Sequence, residues 1–140
     1  MVEKFREYMQ SKSPHFTGWE IKHSVDELDD FYTFPRYESF TYTKGKYEIC
    51  ISIDCQGWTP IMSIHEIDDK KGKRLIAGFE RSKCDFRSEY DNPEIRNRFR
   101  EVYNAEQEYD KKTKRFLDKN PKILDVYFEF LLASGILNKQ

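Results

Sequence analysis

Two Asn-Pro steps, Asn92-Pro93 and Asn120-Pro121, enclose a stretch in which Ile95, Phe99, Val102, Glu106, Tyr109, Thr113 and Phe116 recur at alternating four- and three-residue spacing. Asn accepts hydrogen bonds from the free N–H groups of a first helical turn, and Pro fits a position whose missing N–H is not needed. The pattern therefore predicts a long helix from Pro93 and a second from Pro121, folded back on one another. The second carries the apolar run Ile123, Leu124, Tyr127, Phe128, Leu131 and Leu132, with Gly135 as its C-terminal stop.

Upstream, the periodicity changes from helical to two-residue. Val2 to Gln10 places Val2, Phe5 and Met9 on one helical face, a short amphipathic helix. Ser11 to Gly18 ends it. Trp19, Ile21 and His23 alternate with Glu20 and Lys22 as a short strand, and Ser24-Val25-Asp26-Glu27 has the S-x-x-E form of a helix start, predicting a brief helical turn through Asp30. Strands follow at Tyr37–Thr43, Tyr47–Cys55, Ile61–Ile67 and Lys73–Glu80, joined by short turns. In the second of these, Tyr47, Ile49, Ile51, Ile53 and Cys55 make one apolar face. The segment from Arg81 to Asn92 reads as a loop. Short connections imply an antiparallel meander with one face covered. The fold class is thus α+β: a four- to five-stranded meander sheet with a short N-terminal helix and a C-terminal helical hairpin packed on one face.

The chain of 140 residues fits a single domain over 1–140, since a domain of this size buries roughly 70% of its unfolded surface. Eleven Phe and nine Tyr against alanines only at Ala77, Ala105 and Ala133 require an aromatic core. A net charge of −1 argues against a generic polyanion binder and equally against an acidic nucleic-acid mimic. Cys50, Cys55 and Cys84 form no CxxC pair, which points to a reducing cytoplasm rather than a disulfide framework. No apolar run approaches the ~18 residues of a membrane span. The Lys-, Ile-, Tyr- and Asn-rich, Ala-poor composition matches AT-rich codons, as in a low-GC bacterium or its phages and mobile elements.

Chemistry-bearing residues are dispersed. Ser52, Asp54, Ser63 and His65 could share a sheet face as nucleophile, base and orienter, but no nucleophile elbow or oxyanion turn accompanies them. His15, His23 and His65 have no metal-ligand spacing, so neither a metal nor a cofactor is expected, and no catalytic residue is assigned. Two surfaces remain. Asp26, Asp29 and Asp30 precede Phe31, Tyr32, Phe34 and Tyr37, an acidic cluster joined to four aromatics in seven positions, which is the composition of a partner-binding surface. Lys70, Lys71, Lys73 and Arg74 at a hairpin tip, with Arg96 and Arg100 on one helix side, are candidate nucleic-acid contacts. Arg98 points elsewhere.

The leading expectation is a non-enzymatic protein-binding inhibitor or adaptor. It would be a phage or mobile-element protein that occupies a host defence protein or protein–nucleic acid complex, in the manner of an anti-CRISPR. A nucleic-acid-binding regulator and a toxin-neutralising immunity protein are the alternatives. Polar Glu106 and Thr113 within the seam of a helix of about 25 residues, nearly 38 Å long, also predict a homodimer through that helix.

Overall fold

A computed structural model describes residues 2–26, 37–54, 59–80, 83–90, 92–113 and 122–137. Helix α1 (Val2–Ser11) leads through a 3₁₀ turn (Ser13–Phe16) into strands β1 (Glu20–Asp26), β2 (Tyr37–Lys44), β3 (Tyr47–Asp54), β4 (Ile61–Asp68), β5 (Gly72–Glu80) and β6 (Asp85–Ser88), then helices α2 (Pro93–Thr113) and α3 (Ile123–Ala133). The strands lie side by side in chain order as a six-stranded antiparallel sheet. The α+β meander is therefore present, with one strand more than the sequence indicated.

Alternation decides which side of the sheet is core. Tyr42, Ile49, Ile64 and Ala77 lie on one cross-strand rung, and Phe40, Ile51 and Met62 on the next. All but half-buried Phe40 are inaccessible to solvent or nearly so. The consecutive apolar run Leu75-Ile76-Ala77 fits this pattern through a bulge. Ile64 pairs with Ala77 while His65 pairs with Leu75, so Ile76 is the extra residue and turns inward while Leu75 stays exposed. Gly78 is required by the close approach of β4: a Cβ there would lie 2.9 Å from the Met62 carbonyl oxygen.

All three helices cover this one side. Phe5 of α1 packs edge-on against Phe40, and Phe16 stacks on Tyr42 at 3.7 Å. Phe99 of α2 meets Phe79, Phe86 and Tyr127. α3 lies between, touching α1 through Tyr8–Phe128 and reaching the sheet through the Tyr127 hydroxyl, which donates to the Pro60 carbonyl at 2.8 Å. Burial pushes that phenol's pKa up, so it remains a donor. Glu38, fully buried on β2, is held by two 2.7 Å hydrogen bonds from Arg6 and lies 3.2 Å from His23 Nε2.

Helix ends show where local signals hold and where they yield. Asn92 caps α2, its Oδ1 accepting from the Ile95 N–H at 3.2 Å. Gly135, at φ +79°, follows α3, and its N–H donates to the Leu132 carbonyl. The start of α3 differs from expectation. It begins at Ile123 rather than Pro121, and no side chain of its N-cap residue Lys122 bonds the first turn. Instead Glu106, reaching from α2, accepts the Ile123 N–H at 3.2 Å. Asn120 and Pro121 lie outside the described residues. The seam residues Ile95 and Phe99 are buried within the chain's own core, and α2 packs on α3 and β6. The predicted helix start at Ser24 is also corrected, because β1 runs on through Asp26, paired across to Tyr37; residues 27–30 of the predicted turn lie outside the described residues. Propensity at Ser24 and Val25 is overridden by the ladder with β2.

Candidate functional site: an arginine-walled cleft

The segment read as a loop from Arg81 to Asn92 contains β6, and β6 builds the most distinctive polar arrangement among the described residues. Cys84 turns the chain at φ 48°, an uncommon conformation for a non-glycine residue, and delivers Asp85 into the protein with its side chain 5% exposed. Asp85 Oδ1 accepts from the Phe86 N–H at 2.9 Å. Its Oδ2 receives Arg96 Nε and Nη2 at 3.2 and 2.8 Å and Arg100 Nη2 at 3.0 Å. Arg87 Nε lies 3.7 Å from the same oxygen and 3.4 Å from Glu80. Burial alone would raise the Asp85 pKa, but the hydrogen bonds from Arg96, Arg100 and the Phe86 N–H outweigh it and bring the carboxyl down to about 2.

The arginines wall a cleft of about 200 Å³ between β6, the start of α2 and α3. Phe86, Ile95 and Phe130, all buried, form its apolar lining, with Ser88, Tyr90, Asn92 and Asn97 at its polar margin. Among the described residues, three guanidinium groups and the Lys83 ammonium face two carboxylates, Asp85 and Glu80, so positive charge is in surplus. The N-terminus of α2 adds partial positive charge. The arginine side chains remain partly open to solvent, so donors not used by Asp85 can meet a ligand. A carboxylate or similarly small anion suits a space this size, which is below the ~300 Å³ of a drug-sized pocket.

The candidates named from sequence fare differently. Arg96 and Arg100 do converge, one turn apart on α2 and on one carboxylate. Lys73 and Arg74 sit elsewhere, Lys73 bonded to Glu48 at 3.0 Å and Arg74 to Glu66 and Glu89. Lys70 and Lys71 are exposed on a turn organised by Asp68, whose carboxylate accepts both backbone N–H groups. Arg98 pairs with Glu129 on α3. Of the acidic and aromatic set, Asp29, Asp30, Phe31, Tyr32 and Phe34 lie outside the described residues. Asp26 and half-buried Tyr37 are the paired strand ends from which that connection leaves.

Ser52, Ser63 and His65 share the sheet face away from the helices, yet they do not assemble. His65 stands opposite Glu48, Ser63 opposite Cys50 and Ser52 opposite Ile61, so Ser52 and His65 are about 13 Å apart along the strands. The Asp54 carboxylate is not among the described side chains. Burial pushes the Cys50 thiol up, which makes it a poor nucleophile. Among the described residues no three His, Cys, Asp or Glu side chains are grouped to hold a metal ion, and no helix is long and apolar enough to cross a membrane.

Asp85 and Arg87 were invisible as site residues because a four-residue strand carries too little alternation to read. Their one signal was the i, i+4 pair Arg96 and Arg100, which share a helix side and so need an acidic partner or an anion. Comparison with protein-family models, curated proteins and solved structures finds no match.

Proposed function

We propose that the protein is a non-enzymatic protein-binding module, an inhibitor or adaptor that seats an acidic side chain of its partner in the Arg87–Arg96–Arg100 cleft. The observation that carries this reading is the buried Asp85, which holds two of the guanidinium groups in fixed positions while leaving a surplus positive charge at the cleft mouth. Arginines ordered in advance lose little freedom on binding, and arginine is favoured at the energetic centres of interfaces. A polyanion, by contrast, is bound by cations spaced along a track, and here Lys73, Arg74 and Arg98 are each matched to a carboxylate. The finer reading, an anti-defence protein of the anti-CRISPR kind or a toxin-neutralising immunity protein, draws on the small size and AT-rich composition.

Affinity capture from cells that naturally make the protein, with wild type beside Arg87→Glu, tests the reading. Arg87 is the arginine least engaged with Asp85, so its reversal leaves the two close ion pairs intact. A partner retained by wild type and lost by the variant supports the proposal. Retention of the same partner by both, or of nucleic acid with a steep loss in salt, refutes it.

A further inference from the structure

Among the described residues that line the cleft, Arg87, Arg96 and Arg100 carry charge and none is acidic. The two carboxylates paired with them lie outside that lining: Asp85, which takes Arg96 and Arg100, and Glu80, which Arg87 shares with Lys83. Three guanidinium groups and one ammonium against two carboxylates leave two positive charges uncompensated among the described residues. The same pairings leave hydrogen-bond donors over, because each guanidinium carries several N–H groups in a planar fork. Arg96 spends Nε and Nη2 on Asp85, Arg100 spends Nη2, and Arg87 engages only through Nε, 3.4 Å from Glu80 and 3.7 Å from Asp85. The Nη1 groups of Arg96 and Arg100 and both terminal nitrogens of Arg87 therefore have no partner among the described residues. Ser88, on the same lining, accepts the Tyr90 N–H at 2.9 Å through its oxygen and keeps its hydroxyl hydrogen to donate.

We propose that the acidic side chain seated in the cleft is a phosphoserine of the partner, resting on the protein-binding reading above and naming the chemistry of its ligand. A carboxylate brings one charge and two oxygens. A phosphate monoester brings a charge of about −1.5 to −2 at pH 7 and three acceptor oxygens in a tetrahedral array, which matches both the uncompensated charge and the spare donors. All three guanidinium groups come within 3.7 Å of Asp85 Oδ2, close enough together for one tetrahedral group to bridge them. Phe86, Ile95 and Phe130 are only 3%, 6% and 1% exposed, so the floor is sealed and offers no slot for the ring of a phosphotyrosine. The group enters by its charged end on a short stem. A nucleic-acid backbone matches less well, since each phosphodiester carries a single charge and is met by cations spaced along a track, whereas these three arginines gather on one point.

The blocked peptide acetyl-Gly-Ala-Xaa-Ala-Gly-amide, with phosphoserine, glutamate or serine at Xaa, is titrated into the isotope-labelled protein and followed by amide and arginine side-chain NMR signals. The expected result is saturable shifts at Arg87, Ser88 and Arg100, with phosphoserine bound more tightly than glutamate by at least roughly fivefold and the serine form not bound. Arg87→Glu abolishes the phosphoserine shifts. Glutamate bound within that fivefold margin overturns the phosphoserine assignment and leaves the acidic-side-chain reading standing. Absence of cleft shifts with both anionic forms, or equal shifts with the serine form, removes both. Inorganic phosphate bound more tightly than the phosphopeptide assigns the cleft to the free anion, and an end-phosphorylated oligothymidylate bound more tightly assigns it to nucleic acid; either overturns the proposal. These comparisons all use wild type, so a variant that misfolds does not leave the question open.

Discussion

Replacing Asp85 by Asn removes the charge on which the cleft is organised while keeping the side chain's size. The carboxyl titrates near 3.8 when unperturbed and at about 2 in the folded chain. Folding therefore favours the ionised form, and that difference corresponds to roughly 2–2.5 kcal/mol. A carboxylate whose folded pKa is depressed contributes fully above its unfolded pKa and loses that contribution as pH falls through the folded one. The stabilisation is thus complete above about pH 4 and disappears by about pH 2. Urea unfolding of wild type and Asp85→Asn across this range measures it directly. The expected outcome is a variant less stable by roughly 2 kcal/mol at neutral pH, with the two stability curves converging between about pH 4 and pH 2. Equal stabilities at neutral pH, or curves that stay parallel in acid, would show that Arg96 and Arg100 do not act through Asp85.

Three further outcomes follow from the packing. Glu106→Ala removes the acceptor of the Ile123 N–H, so α3 should fray at its start, with faster amide exchange there and a loss of about 1–2 kcal/mol. Gly78→Ala forces β4 and β5 apart, because the added carbon meets backbone atoms of Met62 and Ser63 that cannot rotate away; thermal unfolding should show a loss of about 1–3 kcal/mol. Tyr127→Phe leaves the Pro60 carbonyl without its 2.8 Å donor in the core, a change of about 1–2 kcal/mol in denaturant titration, with no change in secondary structure by circular dichroism.

Five of the six strands and all three helices were legible in the sequence because each carries enough periods to declare itself. The alternation from Tyr47 to Asp54 fixed the covered face correctly, and Asn92-Pro93 marked the start of α2. The start of α3 was misplaced by two residues, and among the described residues the acceptor for its first N–H comes from Glu106, far off in sequence, and not from Lys122. Glu106 looked like a register-setting polar residue in a coiled-coil seam for the same reason. β6 escaped because two buried residues, Asp85 and Phe86, adjoin in a strand of four. That miss concealed the cleft, since an ion pair between residues 85 and 96 has no local signature. The shared helix side of Arg96 and Arg100 was legible, but the Asp85 carboxylate on which they converge was not.

The proposed occupant of the cleft is an anionic group from another protein. A titration of the labelled protein with a short glutamate-containing peptide, followed by amide and arginine side-chain NMR signals, tests this most directly. The predicted result is a set of saturable shifts confined to Arg87, Ser88, Asn92, Asn97 and Arg100, abolished in Arg87→Glu while the variant keeps its fold. Shifts scattered over the basic hairpin at Lys70 and Lys71, or undiminished in the variant, would contradict it.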